Sequence, residues 1–412
     1  MTDTMTRRYG VMDYQDGMQK IDSSIMERVL SAREGYSYHK YSTTDVQNTL
    51  TRLERLPRGS DPDLTETEFK ILLSEAVLEP SANGEASYLE RIAQICQALT
   101  RAHFGNSINL FTPLYLANYC QSNCVYCGFS AKNSISRVLL NEETISAELD
   151  AISETGLQEI LLLTGESWVK SDPKYIARAC QLAGEKFANV GVEVYPMNVA
   201  DYELLQRNGC DYVTVFQETY DPERYEQLHL AGQKRSFPYR FNAQERAIMG
   251  GMRGVAFGAL FGIADFRKDA FSLGLHAALL QRKYPHAEIS VSCPRLRPAA
   301  GNTDFLEFQA ESVTERDLVQ VICAYRLMLP FAAITVSTRE DAHFRDSIVK
   351  FAATKVSAGV DTGIGHHSGV DDGEEQFDIS DKRSVPEIIN ALKLGGLQPV
   401  LNEHVMVGHE SN

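Results

Sequence analysis

Three thiols fall within one short stretch of this chain: Cys120, Cys124 and Cys127, in Asn118-Tyr-Cys-Gln-Ser-Asn-Cys-Val-Tyr-Cys-Gly-Phe129. A C-x3-C-x2-C spacing lets one loop turn all three inward, where they can hold three corners of a cubane iron–sulfur cluster. A four-iron cluster held in this way keeps one iron without a protein ligand, whereas an electron-transfer ferredoxin normally closes every position with cysteine. An open position invites a substrate or cofactor, by the logic that separates catalytic from structural zinc sites. Zinc itself would want a fourth Cys or His at a short paired spacing, yet His103 lies upstream and no His follows until His229.

Other chemistry-bearing residues stand at the ends of apolar runs. Thr164-Gly-Glu166 offers a carboxylate suited to an ammonium group, and Glu218, in Gln217-Glu218-Thr-Tyr220, suits an amine or a pair of ribose hydroxyls. Gly258-Ala-Leu-Phe-Gly262-Ile-Ala-Asp265 carries two glycines that either admit a ligand or only ease strand packing. Cys293-Pro-Arg295-Leu-Arg297 supplies two cations, of which one is expected to face a ligand and one to be structural. Ser337-Thr-Arg339 pairs a hydroxyl with a guanidinium fork matched to a carboxylate; the plainer alternative is a salt bridge from Arg339 to Glu340 or Asp341. His366-His367 is expected to be exposed, and Asp371, Asp372, Glu374 and Glu375 to form a solvated acidic loop.

The elements that must position these residues follow from periodicity. Short apolar runs at 108–111, 159–163, 192–195, 212–216, 255–260, 289–292, 333–336 and 355–358 alternate with helical patterns at 142–155, 173–188, 268–283 and 315–329. Eight such units predict an α/β fold, a closed (β/α)8 TIM-type barrel, whose strand carboxyl ends converge on one mouth. The candidate residues all stand at those ends. Upstream, Thr65-Glu-Thr-Glu68 predicts a capped helix whose apolar face includes Phe69, Ile71, Leu72, Ala76 and Val77, and a second helix is expected over 87–102. Residues 1 to about 60 read as polar and irregular. The expected division is an arm over 1–64, a helical extension over 65–104, the barrel over 105–365 and a short α/β appendage over 366–412, with a helix over 386–394 and a strand near 398–401.

A formal net charge of −15 with no basic block argues against nucleic-acid binding. No apolar run approaches the ~20 residues that span a bilayer, and the first thirty residues lack the apolar segment of a secretory leader. Cys96, Cys180, Cys210, Cys293 and Cys323 are scattered in apolar or mixed segments, as buried small hydrophobes of a reducing cytoplasm would be.

With Tyr126 before the last cysteine, the triplet resembles the C-x3-C-x-aromatic-C pattern of the radical S-adenosylmethionine superfamily. In that family the amino and carboxylate groups of S-adenosylmethionine complete the open iron of one [4Fe-4S] cluster, and one low-potential electron yields a 5′-deoxyadenosyl radical. The resemblance implies that Glu166 contacts the methionine amino group, that Gly258, Gly262 and Asp265 lie against the adenine, and that Glu218 and Arg295 also serve the cofactor. Asn106 to Phe129, Leu161 to Glu166, Gln217 to Tyr220, Pro294 to Pro298 and Ser337 to Glu340 together resemble the aromatic amino-acid lyases of this class, over roughly 65 to 405. That implies Cα–Cβ cleavage of L-tyrosine to dehydroglycine and 4-cresol for thiamine thiazole synthesis, with Ser337 and Arg339 on the substrate carboxylate. It also implies a thiazole synthase as partner and a low-potential flavodoxin or ferredoxin as reductant. A [FeFe]-hydrogenase maturase resembles the chain at Glu375 to Asp381, but its C-terminal C-x2-C pair has no counterpart in Leu397 to Val405. A maturase-like paralogue without a second cluster and a tryptophan or other amino-acid lyase stay as alternatives. A non-catalytic cluster scaffold would be expected to have lost Glu166 and the Gly258/Gly262 element, which are intact.

Overall fold

The structure, a computed structural model, describes residues 10–81, 86–297, 312–367, 369 and 376–402. Each of the eight apolar runs is a strand. They are β1 Ser107–Ala117, β3 Glu159–Thr164, β4 Asn189–Glu193, β5 Tyr212–Glu218, β7 Gly254–Ala259, β8 Glu288–Ser292, β9 Ala333–Val336 and β10 Lys355–Ser357. All pair in parallel in that order, and β10 closes against β1 with Asn109 opposite Lys355. The result is a (β/α)8 barrel. Its strands were legible because parallel strands covered on both faces are near-continuous apolar runs.

Two short strands, β2 Asn123–Cys124 and β6 His229–Ala231, pair antiparallel outside the barrel. β1 is longer than the expected 108–111. Its first residues take the tail strand β11 Gln398–Val400 as a parallel partner, and its second half pairs with β3. Four helices that follow barrel strands start on side-chain caps: Asn141 for Glu142–Ser153, Asp172 for Pro173–Gly184, Asp265 for Phe266–Lys283 and Asp341 for Ala342–Ile348. Each cap contributes about 1 kcal/mol and fixes where a loop at the mouth ends.

The arm is not irregular. Helices Ile25–Glu34 and Thr43–Glu54 occupy it, the second started by a reciprocal capping box between Ser42 and Asp45. Val46, Leu50 and Leu53 give that helix an i, i+4, i+7 buried face. Tyr36 lies buried with its ring 4.9 Å from that of Phe271 on the barrel helix Phe266–Lys283, and its hydroxyl donates to the Lys70 carbonyl at 3.0 Å. Arg33 pairs with Asp221 at 3.1 Å. In the extension, Thr65 and Glu68 form their capping box, but the helix Glu66–Leu72 stops there, and Ala76 and Val77 fall in a separate 3-10 turn, Glu75–Leu78. Ser74 makes the break, its hydroxyl donating to the Ile71 carbonyl at 2.6 Å. One apolar core includes Val46, Ile92, Leu162, Ile334 and Ile388, so arm, extension, barrel and tail share it. The five scattered cysteines are buried and free. No helix of the described residues is long and apolar enough to cross a membrane.

Candidate active site

The cysteine loop leaves β1 at Ala117 and is closed on itself by one residue. The Arg137 guanidinium donates to the carbonyls of Asn118 at 2.6 Å, Phe129 at 2.8 Å, Ser130 at 2.7 Å and Asn133 at 3.2 Å. Asn133 in turn donates to the carbonyls of Cys127 and Gly128. The segment after β3 lies directly against this loop: Gln121 N–H donates to the Glu166 carbonyl at 2.8 Å, and Gly165 N–H to that of Ala117 at 2.9 Å. Only glycine permits the approach, since a Cβ on Gly165 would sit 2.3 Å from the Tyr119 carbonyl oxygen. Gly128 is as tightly placed, 2.6 Å from the Gln376 carbonyl oxygen by the same measure.

All three thiols are free, Cys124 fully buried and the other two half-buried. Burial pushes the Cys120 thiol up to about 11, and it raises Cys124 and Cys127 against the pull of the Lys234 charge. Thiols so disfavoured as free thiolates suit a metal that deprotonates them on binding. Among the described residues no group of three donors is placed to hold a metal ion. A cubane puts its cysteines on separate irons and does not need them to meet at one point. Three unbridged thiols on a clamped loop, with buried cations nearby to offset thiolate charge, fit a cluster.

Those cations form a network. Arg240 donates to Glu166 at 2.7 Å, Lys234 to Glu218 at 2.8 Å, and the crossed distances are 3.7 Å (Lys234 to Glu166) and 3.8 Å (Arg240 to Glu218). Burial would raise the Glu166 carboxyl, but Arg240 and Lys234 outweigh it and hold it below its usual range. Glu218 stands at a register shift in β5 with φ of 70°, a left-handed conformation rare outside glycine. That turn aims its carboxylate into the lumen. The Tyr126 hydroxyl lies 2.8 Å from His229 Nε2. His229 is held neutral by burial, and its Nδ1 donates to the Tyr225 carbonyl, which leaves Nε2 to accept from Tyr126. Thr164 Oγ1 and both polar atoms of the Gln217 amide are buried with no hydrogen-bond partner among the described residues.

The inward residues of the strands enclose a lumen of about 230 Å³, lined by Tyr115, Tyr126, Cys127, Leu163, Glu193, Glu218, Lys234, Ser337 and Arg339 among others. Arg339 makes neither of the salt bridges open to it. Glu340 turns to Arg295, and Asp341 caps its own helix by accepting from Phe344 N–H at 2.8 Å. The Arg339 guanidinium instead lies 3.5 Å from the centroid of the Phe377 ring, while the backbone N–H of Arg339 donates to Ser337 Oγ at 3.4 Å.

The structure therefore brings Cys120, Cys124, Cys127, Tyr126, Glu166, Glu218, Ser337 and Arg339 to one mouth. Four other expected residues are engaged elsewhere or set back. Arg295 is taken up by Glu340 and by the Val313 carbonyl at 2.9 Å, and it is Arg297 that lines the lumen. Asp265 accepts from Lys268 N–H at 3.0 Å as a helix cap. Gly258 backs onto the Phe216 ring, where a Cβ would approach to 2.3 Å, and Gly262 turns the chain with φ of 110°. His366 and His367 are half-buried, not exposed; His366 pairs with Asp361 at 2.9 Å, and His367 N–H donates to Glu148 at 3.1 Å. Asp371, Asp372, Glu374, Glu375 and Pro298 lie outside the described residues. Sequence reasoning missed Arg137, Lys234, Arg240, Glu193 and Phe377. Of these only Glu193 carried a local signal, as a charge inside the apolar run of a buried strand.

Residues 114–264 match the Radical SAM superfamily and residues 292–398 the Biotin and Thiamin Synthesis associated domain. The chain is 40% identical to the 2-iminoacetate synthase of Escherichia coli K12 over 326 residues, which cover 79% of this chain and 85% of that protein. The Salmonella typhimurium 2-iminoacetate synthase is 39% identical over the same shares. Among solved structures, the FeFe-hydrogenase maturase HydG from Carboxydothermus hydrogenoformans superposes with a TM-score of 0.81 at 29% identity, covering 93% of this chain and 86% of that one. Methylornithine synthase (PylB), at 21% identity and a TM-score of 0.65 over 85% of this chain and 96% of that one, shares the fold. The barrel, the cysteine loop and the clear likeness along most of both chains agree: the chain belongs to the 2-iminoacetate synthase family of radical S-adenosylmethionine enzymes.

Proposed function

We propose that this protein is a carbon–carbon lyase that converts L-tyrosine to 2-iminoacetate and 4-cresol. As a radical S-adenosylmethionine enzyme it works with a [4Fe-4S] cluster and S-adenosylmethionine, which together supply, when bound, a carbon radical able to remove a hydrogen atom. Cys120, Cys124 and Cys127 are the cluster ligands in this reading, and Tyr126, Glu166 and Glu218 serve the cofactor beside them. The overall change takes one hydrogen atom from tyrosine and breaks Cα–Cβ. Cα is left in the imine, and Cβ becomes the methyl group of 4-cresol after uptake of one electron and one proton.

The observation that carries the reading is Arg339, a guanidinium on the lumen wall that makes no ion pair among the described residues and is braced by Phe377. Its fork matches an amino-acid carboxylate in two parallel hydrogen bonds, and Ser337 stands beside it to add a third. Holding the reacting hydrogen in place in this way can supply up to ~7–11 kcal/mol of a barrier. Leu161, Leu163 and Phe216 offer apolar wall for an aromatic ring. Because 2-iminoacetate hydrolyses readily, direct transfer to a thiazole synthase suits the chemistry. A low-potential flavodoxin or ferredoxin in the cytoplasm suits the need for electrons.

The test is anaerobic reconstitution with iron and sulfide, followed by S-adenosylmethionine, dithionite and each aromatic amino acid in turn. 4-Cresol from tyrosine alone is expected; 5′-deoxyadenosine without cresol would sink the reading. The superposition on HydG favours a second reading, a maturase-like paralogue. An iron count near eight per chain would select it over the lyase with one cluster.

A further inference from the structure

Glu193 is the last residue of β4, with its Cα in register between Leu163 of β3 and Thr214 of β5. It lines the same lumen as Arg339. Every other charged group on that wall is committed or close to being so. Glu218 holds Lys234 at 2.8 Å, Glu288 pairs with Arg253, Lys355 pairs with Glu159, and Arg297 stands 3.7 Å from Glu340. Glu193 and Arg339 alone make no ion pair among the described residues, and their charged atoms lie further apart than the 4.0 Å at which they would satisfy each other. A lumen with one spare cation and one spare anion, held apart, is the electrostatic complement of a zwitterion.

We propose that Glu193 receives the amino group of the amino-acid substrate while Arg339 receives its carboxylate, and that Glu193 takes one proton from the ammonium before hydrogen-atom removal. The exchange balances as ammonium plus carboxylate giving amine plus carboxylic acid, with the proton returned to solvent on product release. A neutral amine then presents N–H bonds to the radical. Groups on every wall facing Glu193 tune it for this. Burial and the Glu218 charge on β5 raise its carboxyl to about 7, against Arg339 after β9 and Arg240 and Lys234 from the segment before β7; Tyr115 on β1 also faces it. A carboxylate at that level is a far better proton acceptor near neutral pH than one at about 4.

The inference rests on the substrate being an α-amino acid, so its test separates recognition of the amino group from turnover. Wild type, Glu193→Gln and Glu193→Asp, each reconstituted anaerobically with S-adenosylmethionine present, are titrated with L-tyrosine and with 3-(4-hydroxyphenyl)propanoate, which lacks only the amino group. L-tryptophan and indole-3-propanoate form a second matched pair. Loss of one charge-assisted hydrogen bond predicts that Glu193→Gln weakens amino-acid binding roughly tenfold to hundredfold. Binding of the desamino acid should change less than about threefold, and Glu193→Asp should restore part of the loss. In wild type, kcat/KM for the amino acid should rise with pH through about 7, and Glu193→Gln should lose that limb. Equal weakening of both ligands, no weakening of either, or a limb that persists in Glu193→Gln would overturn the assignment. Failure to form cresol while the amino acid alone is discriminated would overturn the tyrosine-lyase reading and leave Glu193 standing.

Discussion

Arg240 Nη1 donates to Glu166 Oε1 at 2.7 Å and so ties the helix Phe237–Phe241 to the segment that follows β3. The two residues are 74 apart in sequence, and both are largely buried, with side chains 6% and 11% exposed. Glu166 in turn receives Gln121 N–H on its carbonyl, so the ion pair reaches the cysteine loop through one residue.

Removing one partner of a buried ion pair leaves the other charged and unsolvated. Arg240→Met is expected to cost about 3–5 kcal/mol of unfolding free energy in urea titration. The double variant Arg240→Met, Glu166→Gln should recover a large part of that loss, because the orphaned charge is gone. Equal losses in the single and double variants would mean that the pair is not what holds the two segments together.

Gly165→Ala tests the close approach of the same segment. A Cβ 2.3 Å from the Tyr119 carbonyl oxygen meets backbone, which cannot swing aside as a side-chain tip could. The loop carrying Cys120 must shift instead. The expected result is a folded protein, by circular dichroism, that retains markedly less iron and sulfide after reconstitution than wild type does. Full iron content in Gly165→Ala would show that the cysteine loop tolerates the displacement.

His276 predicts a pH dependence of stability. It is buried with its ring stacked on Phe241 at 3.9 Å and its Nδ1 3.0 Å from the Tyr220 hydroxyl, and burial lowers it to about 3. Below about 6.5 the unfolded chain binds a proton there that the folded chain does not, so stability falls as pH drops from about 6.5 towards 3. One group contributes about 1.4 kcal/mol per pH unit within that window. His276→Gln should therefore lose less stability between pH 7.5 and pH 5.5 than wild type, by about 1.4 kcal/mol. Parallel pH curves for the two proteins would exclude His276 as the source.

What could be read in the sequence was local. Eight strands followed from apolar runs, the three clustered thiols of one loop from a spacing of three and two residues, and the mouth from polar residues at strand ends. The arm was misread because its helices are polar on most faces, although Ser42 with Asp45 and the Val46, Leu50, Leu53 stripe marked one of them. Asp265 shows a different ambiguity. A carboxylate just past a barrel strand can face the mouth or cap the following helix, and the sequence pattern is the same for both. Lys234 and Arg240 left no mark. A buried cation acquires its meaning from the carboxylates it meets, and Glu166 meets Arg240 only once β4, β5, β6 and the segments that connect them are folded between the two.

Arg339→Lys separates shape from charge at the substrate end of the lumen. Lysine keeps the positive charge but offers a single rotating ammonium in place of a planar fork, and it gives up the contact of the guanidinium with the Phe377 ring at 3.5 Å. If Arg339 binds the carboxylate in two parallel hydrogen bonds, loss of one costs about 1.5–3 kcal/mol, roughly a tenfold to hundredfold rise in the dissociation constant for tyrosine. The residue also positions the rest of the substrate, so the ratio of 4-cresol to 5′-deoxyadenosine should fall as well: a carboxylate held by a point charge can pivot, and hydrogen removal is then less often followed by productive cleavage. Phe377→Leu removes the brace and leaves the fork, so it should show the drop in product ratio with a smaller change in affinity. A variant Arg339→Lys with wild-type affinity and wild-type product ratio would place the carboxylate elsewhere in the lumen, with Arg297 as the next cation on its wall.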